Sequence, residues 1–422
     1  MVSEGGSCGR RSSPVRRDRH LQTRREGLRA GPRAGRARAR STVTTWEAVT
    51  NRILALRDHI IAEEVTLVVM EATSDYWKPV YYLLEDAPFE VMLVNARHAK
   101  GIPGRKTDVS DAAWLAELGA HGLVRGSFVP PEPVRQLRDL TRTRTAITRE
   151  RGREVQRLEK LLEDAGIKLS SVASDITLVS GRAMLEALIA GDRDPAGLAD
   201  LAKRRMRSKI PELTEALTGR FGEHHGFLAR LHLDLIDGHR RAIEQLNGRI
   251  EEAMQPSRAT RDLIVTIPGI STMIADVIIA ETGGDMSRFP SAGHLASWAG
   301  TCPGSNESAD RVKSTHTRPG NPYLKGALGA AAMSVAHSKN TYFAAKFRRI
   351  ASRRGPVKAL VAIEHAMLIA IWNMCSTGAY YADPGEDFFT RLHPNRASDR
   401  ALGQLRKMGY AVTLESLPAQ AG

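Results

Sequence analysis

At 422 residues, 42% of them apolar, the chain is long enough for two or three domains with cores of their own and too large for a disulfide-stapled module. Its three cysteines, Cys8, Cys302 and Cys375, are too far apart in sequence for a disulfide framework or a CxxC-type zinc site, which fits a reducing cytoplasm. Of the net charge of +14, residues 1–40 carry +9, with 12 Arg and no Lys against Glu4, Asp18 and Glu26, so residues 41–422 carry only +5 and local basic clusters must argue for any polyanionic partner.

Residues 1–41 are rich in Gly, Arg, Ser and Pro and poor in large apolar side chains, the composition of a basic disordered arm, and they hold no apolar h-region of a secretory signal. From Thr42 the pattern changes. "TWEAVTNRILALRDHIIAEE" has apolar positions at helical spacing, "VTLVVMEATS" is a buried strand, "DYWKPVYYLLEDA" a helix and "FEVMLVNA" a second strand. After a basic turn, residues 108–119 read as a helix and "VRGSFVP" as a short strand. This alternation predicts an α/β layer fold with parallel pairing over residues 42–133, closed by Pro130, Pro131 and Pro133.

Residues 134–260 read as helical. Leu137, Leu140, Ile147, Val155, Leu158 and Leu162 recur near heptad spacing among dense charges, and a second such stretch runs from about Phe227 to Met254. Two antiparallel solvated helices and an intermolecular coiled coil both satisfy this pattern. Shorter helices between them break at "GDRDPAG". A mostly helical region follows over residues 261–383, and residues 384–422 form a tail of polar helices. The longest apolar run, Ala359 to Trp372, is too short to span a bilayer and contains Glu364 and His365, so it predicts a buried helix and no membrane partner.

Three features bear on chemistry. Glu71 ends the strand Leu67–Met70, where open α/β sheets place functional groups. Asp108 and Asp111 lie one helical turn apart, on one face; packed beside the strand end, they and Glu71 form a cluster of hard oxygen ligands suited to Mg²⁺ or Mn²⁺ and to activating a phosphodiester. Ordinary N-terminal capping accounts for such aspartates equally well. In "LIVTIPGISTMIADVIIAET" a Pro268-Gly269 turn between apolar helices predicts a helix-hairpin-helix, with backbone N–H groups near Gly269 and Ser271 offered to phosphate; a plain αα-hairpin is the alternative. Finally, Pro303 to Asn321 is a polar loop bearing Arg311, Lys313, His316 and Arg318, able to follow a phosphate backbone and to present a nucleophilic serine, or simply a solvated connection.

In this order, "VVMEATSDYWKPVYYLLE", "VNARHAKGIPGRKTDVSDAAWLAELGAHGLVRGSFVPP", "IPGIS…DMSRFPSAGHLASWAG" and "PGSNESADR…GNPYLKGAL" resemble the DEDD-type transposases of a bacterial insertion-sequence family, over most of residues 42–380. The resemblance implies a RuvC-like (RNase H-type) N-terminal domain, a coiled-coil insertion and a helical transposase domain with the helix-hairpin-helix. It implies a recombinase acting on DNA, guided by a structured bridge RNA and assembled as a homodimer or homotetramer. Glu71, Asp108 and Asp111 match the second, third and fourth letters of DEDD as ligands of Mg²⁺ or Mn²⁺. Ser308 falls at the family's nucleophile, although Ala309 follows where the family has Gly, and Ser305 stands close by.

The first carboxylate of the pattern is missing. The family opens on a strand with an Asp followed by Lys, whereas here Asp18 lies in "VRRDRHLQ", which does not read as a strand. Under permitted codons, residues 17–30 read one nucleotide later as Val-Ile-Asp-Ile-Tyr-Lys-Arg-Asp-Val-Lys-Val-Cys-Val-Arg, so a frameshift accounts for the arm; a genuine nucleic-acid-binding arm is the rival. Loss of that strand and ligand would inactivate the enzyme. The alternatives are then a non-catalytic nucleic-acid-binding remnant, or a RuvC-like nuclease using carboxylates and water.

Overall fold

The structure is a computed structural model. It describes residues 19–24, 41–95, 108–304, 307–308, 311–312, 314 and 316–413, the backbone alone at 19–24, 41–43, 108–111, 307–308, 312, 396–397 and 400. The chain divides into two units, Met1–Pro130 and Pro131–Gly422.

In the first unit, β1 (Arg19–Arg24) runs antiparallel to β2 (Ser41–Trp46), with Arg19 opposite Trp46 and Arg24 opposite Ser41. Both strands depart from the sequence reading, which gave the arm no strand and read helical spacing from Thr45 onward. Strand formation depends more on a neighbour that completes the ladder than on local pattern. The β-branched run of "STVTTW" supplies that neighbour, and helix α1 (Thr50–Ala62) starts only beyond it.

The parallel pair is as expected. β3 (Leu67–Ala72) and β4 (Glu90–Asn95) align Leu67 with Glu90 and Glu71 with Val94, and α2 (Lys78–Leu84) lies between them in sequence. The period of two divides the side chains between two faces. Val68, Met70 and Leu93 bury against Ile53, Leu56 and Ile60 of α1 and Val80 and Leu84 of α2. Val69, Met92 and Val94 turn the other way, toward Trp114 and Leu118 of α3 (Asp108–Ala120). Gly119 permits the close approach of α3, since a Cβ there would lie 2.5 Å from Val69 Cγ2. Helices thus cover both faces of a small parallel sheet. The strand expected at Val124–Pro130 shrinks to one antiparallel bridge between Gly126 and Val94, because Pro130 and Pro131 offer no N–H to extend it.

The second unit is helical. Its longest elements, α4 (Glu132–Asp164) and α6 (Glu223–Ala253), are the two heptad stretches, and they run antiparallel within one chain: Asp164 meets His225 at 3.1 Å, Glu154 meets His232 at 3.0 Å, and Arg144 meets Asn247 at 3.2 Å. At one end of this pair, Leu158, Leu162 and Leu233 pack with α5 (Val179–Ala190) and shorter helices. At the other, Leu137 and Ile250 enter a core shared by α7 (Arg258–Val265), α8 (Thr272–Thr282), α9 (Ala292–Trp298), α10 (Pro322–Ala336) and, beyond α11 (Tyr342–Arg354), α12 (Pro356–Thr377). The polar tail ends in α13 (Pro394–Lys407). The apolar run in α12 belongs to a helix of 22 residues, longer than the sequence suggested and by length and composition able to cross a membrane. Its Ile363, Met367, Leu368 and Ile371, however, are fully buried in the core.

Charge fixes α8 in place. Glu281, in its last turn, has a fully buried side chain and takes a bidentate pair from Arg142 of α4, at 2.7 and 2.8 Å. Arg138, one turn earlier, donates to the carbonyls of Ala280 and Glu281 at 3.1 and 2.8 Å, satisfying acceptors that a helix end leaves open. Asn321 Nδ2 donates to Glu281 Oε2 at 2.6 Å while its Oδ1 caps α10. The hydrogen bonds to Glu281 raise the Arg142 guanidinium further above its ordinary value. Asp276, one turn back on α8, pairs with Arg144 at 3.1 Å and has Arg261 at 3.6 Å. A Glu281→Ala variant, by taking the carboxylate from Arg142 and Asn321, is expected to unfold at lower denaturant, with a loss of about 3 kcal/mol, and Arg142→Ala, which leaves the fully buried carboxylate with Arg138 and Asn321 alone, should lose at least as much. Equilibrium urea unfolding of the three proteins checks both the size and the order.

Candidate functional site

Two separate regions carry the residues singled out by sequence, one in each unit. In the first, Glu71 is the penultimate residue of β3, half-buried at the carboxyl end of the parallel pair. The alternation of the strand sets it on the face of Val69, the face that α3 covers. Helix α3 begins at Asp108, so Asp108 and Asp111 occupy its first turn; their side chains lie outside the described residues. Among the described residues no three His, Cys, Asp or Glu groups come together as a metal site. What is described fits a hard cation in the nature of its donors and in the choice of sheet face. β1, along which α3 also packs, reads RHLQTR and supplies no carboxylate, and Asp18 before it lies outside the described residues.

In the second unit the turn Thr266–Ile270 joins α7 to α8. Gly269 has φ +89, and a Cβ there would meet the Ala331 carbonyl oxygen at 2.7 Å. The glycine therefore serves two needs, a left-handed backbone and a close seat on α10. Ser271 is the exposed N-cap of α8, its Oγ accepting from Ile274 N at 3.4 Å, with Thr272 and Met273 exposed beside it. The solvent side of this hairpin is thus the start of α8, while the turn itself faces inward.

The segment after α9 is more ordered than a solvated loop. β5 (Glu307–Ser308) pairs with β6 (Arg311–Val312), Ser308 opposite Arg311, and Pro303 bridges Thr317 lower down. Gly304 N donates to His316 O at 3.0 Å. Below this two-stranded ribbon the backbone passes itself at Gly300 and Gly320, where a Cβ on Gly320 would fall 2.0 Å from the Ala299 carbonyl oxygen and one on Gly300 2.6 Å from Gly320 N. Ser308 sits near the ribbon's tip, across from exposed Arg311, and Arg318 is exposed at its base. The Ser308 side chain, Ser305 and Lys313 lie outside the described residues.

At the ribbon's base Cys302 Sγ stands 3.6 Å from His365 Nδ1. Burial pushes the thiol up and the imidazole down, which disfavours the charged form of each. Next to it in sequence, Glu364 is buried against Gly329, with Oε2 lacking a hydrogen-bond partner.

Residues 35–167 match a family model described as "Transposase", of the DEDD type, and residues 261–348 match one described as "Transposase IS116/IS110/IS902 family". These matches cover the parallel sheet and α3 at one end and α7 through the ribbon to α11 at the other, and they define the class: the transposases of insertion sequences. A 43.6 kDa protein of insertion element IS110 from Streptomyces coelicolor is 29% identical over 154 residues, 35% of this chain and 36% of that one. A 42 kDa protein of insertion element IS900 from Mycobacterium paratuberculosis is 27% identical over 308 residues, 65% of this chain and 73% of that one. The chain thus spans about a third of the first relative's length and about three quarters of the second's. It belongs to the IS110 family of transposases.

Sequence reasoning overlooked Glu281, Asp276 and Asn321, and it placed Glu364 in a buried helix without giving it a role. The signal was present: carboxylates inside otherwise apolar helices must find partners or give up their charge. Burial raises the Glu364 pKa, with Lys325 only partly opposing it. The folded state therefore holds this proton more tightly than the unfolded state, and the stability it contributes is full below the ordinary glutamate value and lost as pH rises through the raised one. Glu364→Gln should accordingly be more stable than wild type near neutral pH, by about 1 kcal/mol, with the advantage vanishing in acid. Thermal unfolding of both proteins across that range measures it.

Proposed function

We propose that this chain is the DNA transposase of a bacterial insertion sequence, cleaving and exchanging strands with metal-binding carboxylates and a serine nucleophile. The observation that carries the reading is that Glu71 ends β3 on the face that α3 covers, with α3 starting at Asp108. The last turn of α3 seats on Val69; in this reading its first turn lies toward the strand's carboxyl end, where Glu71 is. This arrangement supports a RuvC-like (RNase H-type) domain with Glu71, Asp108 and Asp111 as ligands.

Bound Mg²⁺ or Mn²⁺ would draw charge from a scissile phosphate and align it. Ser308 at the ribbon tip attacks phosphorus: the Oγ–P bond forms, the hydroxyl proton passes to solvent, and the P–O bond to the departing deoxyribose breaks as that oxygen takes up a proton. Reversal by a different strand's hydroxyl completes exchange. Arg311 and Arg318 flank the path of the backbone, and the exposed start of α8 at Ser271 offers further contacts. DNA is the substrate, a structured bridge RNA the guide, and a homodimer or homotetramer in the cytoplasm the working form.

The test is to incubate the protein with element-encoded RNA, target DNA and Mg²⁺ and look for a covalent protein–DNA adduct by denaturing electrophoresis. The adduct is expected with wild type and lost to background in Ser308→Ala and in Glu71→Ala. An adduct that survives Ser308→Ala but not Ser305→Ala moves the nucleophile to Ser305. Cleavage without an adduct makes the chain a metal-dependent nuclease. Binding without cleavage, unchanged in Glu71→Ala, makes it a nucleic-acid-binding remnant.

A further inference from the structure

From Arg311 to Ile363 the chain holds eleven Lys or Arg and no Asp or Glu, although residues 41–422 as a whole are nearly balanced. Seven of the eleven fall between Lys339 and Lys358, six of them on α11 and the start of α12. These helices form a hairpin that turns at Gly355, φ +84. At the corner Arg353, Arg354 and Lys358 are exposed, around Val357, which is 73% exposed.

The cations are held, not loose. Phe343 and Ala344 of α11 are buried, Phe343 stacks on Tyr381, and Tyr342 packs on Phe388 and Phe389. Arg349 lies over the Phe389 ring, 4.9 Å from its centroid. Two acids meet α11 before its basic end: Asp383 accepts from Tyr342 N at 2.9 Å at the start of the helix, and Glu386 pairs with Arg348 at 3.4 Å in its middle. Among the described residues Arg349, Arg353, Arg354 and Lys358 meet no carboxylate within ion-pair distance.

Helix dipoles account for part of this pattern only. Arg353 and Arg354 complement the negative carboxyl end of α11, but Lys358 stands in the first turn of α12, where the dipole opposes a cation. Like charges gathered where the backbone disfavours one of them cost stability unless an anion joins them. We infer that the α11–α12 corner, with Arg353, Arg354 and Lys358 at its tip and Arg349 behind, is a binding surface for the phosphodiester backbone of a nucleic acid, separate from the serine ribbon. The inference rests on the reading of the chain as a nucleic-acid enzyme and adds a second contact region to it. Contacts of this kind position a strand without reading its sequence.

The experiment compares wild type, Arg353→Ala/Arg354→Ala/Lys358→Ala, and a charge-matched control, Lys203→Ala/Arg204→Ala/Arg205→Ala, for binding to a short DNA duplex, an RNA hairpin and polyglutamate. Titrations run from about 50 to 200 mM salt. The corner variant should bind nucleic acid at least tenfold more weakly and lower the slope of log K against log salt by about 2–3, roughly one per cation lost. The control should match wild type, and thermal unfolding of the corner variant should occur no lower than that of wild type. Loss in the DNA arm alone, the RNA arm alone or both identifies whose backbone docks there, and each supports the inference. Unchanged affinity and slope in the corner variant, while wild type binds, overturns it and leaves the proposed function standing. An equal loss in the control or toward polyglutamate reduces the effect to general charge and overturns it too. Wild type that binds neither nucleic acid overturns both readings.

Discussion

Glu281 has no access to water, and the second unit is arranged around that fact. A carboxylate in such a place must be matched or neutralised, and the match is drawn from sequence-distant parts: Arg138 and Arg142 on the long helix α4, and Asn321 at the head of α10. The same contacts fix the angle at which α4 enters the core, hold the last turn of α8 and mark where the ribbon ends and α10 begins. Asp276 repeats the device one turn earlier with Arg144 and Arg261. Burial pushes Asp276 upward even against two guanidinium groups, so these partners offset only part of the cost of burying its charge.

The ribbon that carries Ser308 is tied at both ends to this assembly. It leaves from α9, which lies in the core, and returns through Gly320 to Asn321, which touches Glu281 directly. A nucleophile on a loop gains little unless the loop's roots are fixed, because the reacting atoms must be held within a fraction of an ångström. Here the roots are the glycine crossing and the Asn321–Glu281 contact, and the tip is a short antiparallel pair.

Much of this was legible in the sequence where one rule governed. The apolar run of "VTLVVMEATS" gave a buried strand with Glu71 at its carboxyl end; the spacing of Leu137, Leu158 and Leu162 gave long helices, and only the partner and its direction had to come from the fold. Legibility ended where distant pairing decided. Nothing local marks "RHLQTR" as a strand, since its ladder is completed by residues 41–46. Pro303 to Asn321 read as a flexible connection because its register depends on Pro303 finding Thr317. The acids of "TMIADVIIAET" stood in plain view, but the arginines that answer them lie about 130 to 140 residues earlier.

The crossing at Gly300 and Gly320 has a consequence for how the family's members can diverge. Two backbones in contact leave no room for a side chain on either strand, so this point is closed to every residue but glycine. Beyond it the ribbon is held by its own pairings, Pro303 with Thr317 and β5 with β6. The crossing acts as a clamp on an interchangeable fitting: the paired strands beyond it can vary in length and polarity while the two glycines keep their socket unaltered.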